Sequence, residues 1–510
     1  MIDTMVDVVV VGAGNAALTA ALAAARDGAR VVVLEKATRE LRGGNTRFTG
    51  ALFRFVYERG AESLKPLVEH EDYGSCQIEP YTAADYWKDL QRMTAGKAPT
   101  ELTRVLIDRS YTTMLWLKEV GVTWEFAREL GQPVPGRPGV VRLPFGCPIR
   151  TPAKGAGLSA RLFDAVERAG IEVRYETAAL RIEVNDSGEV NAVWTKMREG
   201  GIRRVPCKAV VLASGGFQAN PEMRAAYLGP LWGTVKVRGT RFDTGDLHRE
   251  VLSLGAAPRG DWSDCHATPI DLDAPEYGDL TIADKTNRLS YPYGIMVNRD
   301  GDRFADEGED FPLYTYAKMG GEILRQRHRV AFQIFDEKVV HLLEARYSTG
   351  TPVEGATAEE LGRKIAARYP DLAFKVDRFV ATVEAYNRSC QPGAFDPSRY
   401  DGNATQGIFP AKTNWAMPLD TPPYVAYGVT GGITFTFGGL SIDTEARVLD
   451  RMDAPIPGLF ATGEITGGFF YHNYPAGAGL MRGAVFGRLA GASAARYVAA
   501  GSLPSPSRTA

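Results

Sequence analysis

The 510-residue chain is poor in cysteine. Its five thiols, Cys76, Cys147, Cys207, Cys265 and Cys390, are odd in number, dispersed, and form no C-x-x-C pair. This argues against a disulfide framework and against a zinc or iron–sulfur site, and it points to free thiols in a reducing compartment. No apolar run approaches the roughly 18 residues that would read as a membrane-spanning helix. No basic stretch precedes the first apolar run, and Gly12 to Asn15 interrupt it, so a secretory signal is not expected and a cytoplasmic location is. Net charge is nearly absent, at −2, which leaves no global attraction to nucleic acid or to an anionic membrane. An anionic ligand would therefore need a local cluster of Arg and Lys. No repeat of about 20–50 residues is found. What remains is an ordinary globular composition, 45% hydrophobic and 24% charged, long enough for two or three domains.

Against these absences stands a strong amino-terminal signal. Val6–Val11 reads as a buried strand, Leu18–Arg26 as an Ala-rich helix, and Val31–Leu34 as a second strand ending in Glu35. Between the first strand and the helix lies Gly12-Ala13-Gly14-Asn15-Ala16-Ala17, which matches G-x-G-x-x-[G/A] with Ala17 in the third slot. Glycine lets the backbone approach a pyrophosphate, and the helix N-terminus supplies free N–H groups and a favourable dipole. Glu35 falls where an acid takes the ribose hydroxyls of an adenosine. Strand, turn, helix, strand and acid in register predict a dinucleotide site with Gly12, Gly14, Asn15, Ala16, Glu35 and Lys36 in contact. A structural glycine turn is the competing reading.

Further along, Gly43, Gly44, Asn45 and Thr46 form a second glycine-rich loop. Helices are predicted over 100–121, 158–170 and 376–390, and strands over 171–175, 190–195 and 205–213. The last of these runs into Ser214, Gly215 and Gly216. Residues 294–304 read as a hairpin turning at Arg299 to Asp302. Residues 131–157 are Pro/Gly-rich and read as a long loop. Ile456 to Glu464 reads as a strand entering a turn at Gly463 and Glu464. Gly477 to Leu480, with Gly479 and Leu480 facing the ligand, opens a long small-residue helix, and the Ser/Pro-rich tail from Gly501 reads as disordered. The middle is richer in Pro, Tyr and polar turns. We therefore expect an α/β chain: a Rossmann-like nucleotide-binding domain in two parts, 1–240 and 435–510, with an α+β capping domain, 241–434, inserted between them.

These pieces, in this order, resemble the flavoprotein family of fumarate reductases and succinate dehydrogenases. The carriers are Gly12 to Gly14, Glu35, Arg42 to Asn45, Leu212 to Phe217, Val297 to Gly301 with Arg303 and Phe304, Ile456 to Gly468 and Gly477 to Gly491. The resemblance implies an FAD-dependent oxidoreductase acting on CH–CH bonds, with hydride transfer to flavin N5 under a cap that closes over the substrate. Within the family the chain is similar to the tricarballylate dehydrogenases, through Arg238 to Phe242, Asp306 to Phe311, Pro410 to Thr413, Asp420 to Pro423 and Gly432 to Thr436. That likeness implies a small polycarboxylate substrate, desaturation to cis-aconitate, and a membrane iron–sulfur partner that takes the electrons. The departures are informative. Phe311 stands where fumarate reductases carry a proton-donating Arg. Phe435 replaces their substrate-binding His, and Tyr474 to Ala478 replace the motif with the dicarboxylate-clamping Arg. Arg39 to Arg42 offer no His for a covalent tether, so FAD should be bound non-covalently.

Desaturation beside a carboxylate needs a hydride acceptor, a base, and positive charge near the developing enolate. The base candidates are Tyr316, with Tyr314 beside it, and His472 in the loop before the last helix. His266 falls where related enzymes place a substrate-contacting His. Arg241, Arg288 and Arg303 could clamp carboxylates, with Arg150 and Lys154 as weaker candidates. Aromatic packing and surface ion pairs are the structural alternatives for these residues. The rival functions are a dehydrogenase or reductase of a larger uncharged ring, as in ketosteroid dehydrogenases, a fumarate reductase-like enoate reductase, and a redox-inert flavin-binding subunit. The aromatics Phe435, Phe437, Phe469, Phe470, Tyr471 and Tyr474 favour the ring substrate.

Overall fold

A computed structural model describes residues 5–98 and 100–501. The tail expected to be disordered lies, beyond Gly501, outside the described residues. Two sheets organise the chain. In the first, Glu172–Arg174, Val31–Leu34, Val6–Val11, Ile202–Leu212 and Pro455–Ala461 run parallel in that order, with Arg447–Leu449 antiparallel at the edge. Residues 8–11, 31–34, 209–212 and 459–461 of these strands are apolar and buried on both faces, as a parallel sheet covered by helices requires. The register aligns Val11 with Leu34 and Leu212, and Leu212 with Ala461. The strands therefore end together, and the turns that follow them, at Gly12, Glu35, Ala213 and Thr462, meet along one edge. That edge is where open α/β sheets bind ligands.

Two helices pack over this sheet, Asn15–Arg26 and the C-terminal Ala478–Ala499. Their small residues let the backbones approach closely: a methyl group at Gly491 would lie 2.1 Å from the Ala20 carbonyl oxygen. No helix among the described residues is long and apolar enough to cross a membrane.

The second sheet is built on the 13-residue strand Tyr424–Thr436, which pairs antiparallel with Cys265–Asp271, Ala331–Asp336 and Val353–Gly355. Its strands fall between Lys236 and Thr436, beside the expected insertion of 241–434. This strand was not legible in sequence because Gly428, Gly431 and Gly432 break its apolar pattern. Gly431 is required by packing, since a Cβ there would meet the Gly320 carbonyl at 2.4 Å. Gly320 belongs to the helix Pro312–Leu324, which lies across the sheet and carries Tyr314 and Tyr316.

The expected hairpin at 294–304 is only partly formed. Ile295–Asn298 pairs with Ala331–Asp336, and the returning limb makes a single bridge, Val297 to Arg303. The cause is Glu307, whose buried carboxylate accepts the Met296 N–H at 2.8 Å and pairs with Arg303 at 2.5 Å, so it occupies the edge a second strand would use. The helices expected at 158–170 and 376–390 span Lys154–Arg168 and Val376–Ser389.

Candidate active site

One long cavity runs from the ends of the parallel strands to the helix that carries Tyr316. At its first end the chain makes a close backbone cradle. Gly12 has φ +104°, and a Cβ there would sit 2.3 Å from the Ala213 carbonyl oxygen. Thr46 Oγ1 accepts the Asn15 N–H at 2.8 Å, and Asn15 Nδ2 donates to the Leu480 carbonyl at 2.9 Å. The second glycine loop and the C-terminal helix are thus tied to the first helix N-terminus. Asn45 ties the second glycine loop to the second sheet, donating to Thr434 O at 2.8 Å and accepting the Thr240 N–H at 2.9 Å.

Three acids border the cradle, Glu35 and Asp243 buried and Glu464 half-buried. Glu35 Oε1 accepts the Ala37 N–H at 2.7 Å, and burial raises its pKa. Lys36 does not neutralise it, because its amine is held by Thr244 at 2.6 Å and Asp246 at 3.1 Å. Burial pushes Asp243 up to about 7, and Gln218 Nε2 donates to it at 2.6 Å. Glu464 is raised well above the usual carboxylate range by burial and then by Asp243, and it accepts the Thr436 N–H at 3.1 Å. Acids without a bonded cation suit a ligand rich in hydroxyl and N–H donors. The Gly12 cradle suits a pyrophosphate. The residues present therefore fit an adenine dinucleotide. Gly12, Gly14, Asn15, Ala16, Glu35, Lys36, Gly44, Asn45, Thr46, Ser214, Gly215, Gly463, Glu464, Gly479 and Leu480 line the cavity. Gly43 and Gly216 stand behind it. Replacing Glu35 with Ala should remove a ribose acceptor worth about 1.5–3 kcal/mol. FAD affinity should then fall by roughly 10–100-fold, measured by titrating the apoprotein with FAD. An unchanged affinity would make Glu35 a structural acid.

At the other end, the hydroxyls of Tyr316 and Tyr474 meet at 2.5 Å on the cavity wall. Burial raises both above the ordinary tyrosine value, and the charge of Arg238 opposes that shift. The Tyr474 loop is pinned from both sides: Asn473 Nδ2 donates to Tyr314 O at 2.7 Å, Ala476 N–H to Leu313 O at 3.0 Å, and the fully buried Arg54 Nε to Ala476 O at 2.9 Å. Tyr314 itself points away and donates to Asp89 at 2.9 Å. His266 packs behind the pair, its ring 4.8 Å from Tyr316, 5.0 Å from Tyr474 and 5.1 Å from Phe435. Burial and Arg238 hold it neutral, and it does not line the cavity.

The remaining expected catalytic residues are not brought to this point. Arg241 is exposed, stacks over Tyr277 at 5.5 Å, and lies off the cavity wall. The turn at Thr240 sends its neighbour Arg238 inward instead. Arg288 is fully buried but pairs with Asp271 at 2.6 Å and donates to three backbone carbonyls, so it staples the cap. Arg303 is consumed by Glu307. His472 is exposed, 3.5 Å from Asp264 and 3.2 Å from Lys97, on the outer side of its loop. Arg150 lines the cavity but is paired with Glu125 at 3.0 Å and with Glu129, and Lys154 pairs with Glu129 at 2.9 Å. Arg241→Ala should consequently change KM by no more than about twofold, the behaviour of a surface cation. A tenfold rise in steady-state KM would restore it to the site.

From the sequence, Tyr474 counts only among the aromatics that favour a ring substrate, Arg238 only as part of a motif, and Asp243 is not singled out. A signal for Tyr474 existed, because it stands in the motif where a clamping Arg was expected. No sequence signal separates Arg238 from Arg241.

The family model of the FAD binding domain matches residues 7–480, and the chain belongs to that family of FAD-dependent oxidoreductases. It is 29% identical to 4-oxocyclohexanecarboxylate 2-dehydrogenase of Sinomonas cyclohexanicum over 97% of this chain and 93% of that protein. It is 27% identical to the cytochrome fumarate reductase of Shewanella frigidimarina over 96% of this chain and 77% of the relative. Among solved structures, the open conformation of a flavocytochrome c3 fumarate reductase superposes with a TM-score of 0.71 at 27% identity, covering 98% of this chain and 79% of that one. The protein is thus an FAD-dependent enzyme of the fumarate reductase family, acting on CH–CH or C=C bonds.

Proposed function

We propose that the protein desaturates a small cyclic ketone next to its carbonyl group. The observation that carries this reading is the Tyr316–Tyr474 hydroxyl pair at the inner end of the FAD cavity. The walls around the pair are apolar, with Leu52, Leu289, Leu313 and Phe435, which suits a ring. A tricarboxylate would need several free cations. Among the described residues the cavity wall holds two guanidiniums without an ion pair, Arg238 and Arg482, because Arg150 and Arg346 are matched to carboxylates, and two are fewer than three carboxylates would need. Similarity to a dehydrogenase of a ring ketone supports the same choice over tricarballylate.

The Gly12 cradle and Glu35 would hold FAD, which would supply the hydride acceptor for the β-hydrogen. The chain provides the rest. Tyr316 takes the α-proton, and Tyr474 stabilises the resulting oxygen charge by donating its hydrogen bond. Tyr316 can act as base only when its hydroxyl is ionised, which burial resists. That resistance favours a second reading, in which a protonated Tyr316 delivers the proton to an enone and the protein works as a reductase.

Mixing the oxidised enzyme anaerobically with 4-oxocyclohexanecarboxylate, a 3-ketosteroid, tricarballylate and succinate tests the assignment. Bleaching at 450 nm by a ketone alone supports it, and bleaching by tricarballylate alone overturns it. Re-oxidation of the dithionite-reduced enzyme by the corresponding enone would identify the reductive direction. No His or Cys is found among the described cavity-lining residues, which supports non-covalent FAD. Trichloroacetic acid should leave the yellow colour in the supernatant, and a yellow pellet would refute this.

A further inference from the structure

A buried guanidinium without a carboxylate is uncommon, because removing a charge from water is costly unless a partner compensates it. Arg238 is such a group. It is 8% exposed and lines the cavity. Its Nε donates to Thr434 Oγ1 at 3.0 Å and its Nη1 to the Phe48 carbonyl at 2.9 Å. No carboxylate lies within ion-pairing distance of it among the described residues. The one acid whose field reaches it, Asp284, is already shared by Lys154 at 3.4 Å and Arg346 at 3.5 Å. Three of the other cations on the cavity wall are paired: Lys36 faces Asp246 at 3.1 Å, Arg150 faces Glu125 at 3.0 Å and Arg346 faces Glu344 at 2.9 Å. Arg482 has no ion pair among the described residues, but its guanidinium is packed over the rings of Phe469 and Phe470 and donates to the Thr466 carbonyl.

We infer that Arg238 holds a carboxylate of the substrate, so that the substrate class is a small ring ketone that also carries one carboxylate. Thr434 and Phe48 fix Nε and Nη1, which leaves the Nη2 edge of the guanidinium for a ligand. One such edge fits one carboxylate and not three. An uncharged steroid would leave the guanidinium uncompensated once water is expelled. The inference rests on the reading of this cavity as the site of a ring ketone.

The test uses the holoenzyme and two flat rings that cannot be desaturated, benzoate and benzamide, titrated against the flavin absorbance spectrum. Wild-type protein should bind benzoate at least about tenfold more tightly than benzamide, the discrimination expected of a charge-assisted pair in a dry site. Arg238→Met should abolish the preference, and Arg238→Lys, which keeps the charge but not the planar fork, should retain part of it. In parallel, Arg238→Met should lower kcat/KM for 4-oxocyclohexanecarboxylate about 30-fold or more relative to cyclohexanone. Equal wild-type affinity for benzoate and benzamide overturns the inference. Loss of FAD from both variants also overturns it, because Arg238 would then serve the cofactor. Should Arg238→Met fail to fold, the wild-type comparison and Arg238→Lys decide. If wild-type protein prefers benzoate but is bleached by neither ketone, the ring-ketone reading fails and the assignment of Arg238 stands.

Discussion

Tyr316→Phe should slow anaerobic flavin reduction by the ketone about 10²–10⁴-fold, the contribution of a positioned acid or base. The substitution keeps the ring that packs against His266 at 4.8 Å and removes only the oxygen that meets Tyr474. FAD content and substrate Kd should therefore stay within about twofold, since the hydroxyl acts in the transition state. The wild-type pH profile has a defined sign. Burial raises the hydroxyl above its ordinary value of about 10. The ionised form therefore grows as pH rises, and desaturation should keep accelerating from neutral into alkaline solution. Enone reduction, which needs the protonated form, should be flat through neutrality and fall at high pH. The two tyrosines share a hydrogen bond, so the inflection belongs to the pair. Stopped-flow reduction at several pH values measures all of this. A Tyr316→Phe enzyme with the wild-type rate and profile would reduce Tyr316 to a packing residue.

Gly12→Ala should strip the protein of nearly all its flavin. Two costs combine. A side chain at φ +104° is strained by about 1–3 kcal/mol. The added Cβ would also lie 2.3 Å from the Ala213 carbonyl, and relieving that contact costs about 1–3 kcal/mol more. The Ala213 carbonyl resists displacement, because the residue follows directly on the strand Ile202–Leu212, which is paired on both sides, and its own N–H donates to the Val11 carbonyl at 2.9 Å. The displaced turn would no longer reach the pyrophosphate. Gly28→Ala is the control. Its φ is +89°, but nothing lies within 4 Å of the added carbon, so it should lose some stability and keep its flavin. The ratio of absorbance at 450 nm to 280 nm, together with the melting temperature, separates the two variants. A yellow Gly12→Ala protein with the wild-type ratio would disprove the cradle argument.

The nucleotide half of the molecule could be read directly from the chain because its signals are local. A buried β-branched strand, a glycine turn, an Ala-rich helix and an acid at the end of the next strand lie within 30 residues, and each implies its neighbour. The C-terminal turn at Gly463 and Glu464 and the small-residue helix repeat that grammar. The cap was harder to read. The strand Tyr424–Thr436 is hidden by the glycines that the helix Pro312–Leu324 requires, and the hairpin at 294–304 is cut short by one buried acid, Glu307. The first effect is not local in sequence, and the second is a side-chain contact between near neighbours that no strand pattern displays.

The catalytic end depended still more on tertiary structure. Tyr316 and Tyr474 are 158 residues apart and meet at 2.5 Å only because a cap helix and a C-terminal loop are pinned together through Asn473, Ala476 and Arg54. Arg238 and Arg241 are indistinguishable as letters in one motif. One turns inward to a cavity where no carboxylate awaits it, and the other turns outward to water. The sequence by itself determined the dinucleotide site and the fold class, because those follow from contiguous motifs, and the family resemblance that these motifs carry implied FAD and the kind of bond acted on. Only the tertiary structure decided which cations remain free and which hydroxyls touch, because charge compensation and proton transfer depend on contacts between segments hundreds of residues apart.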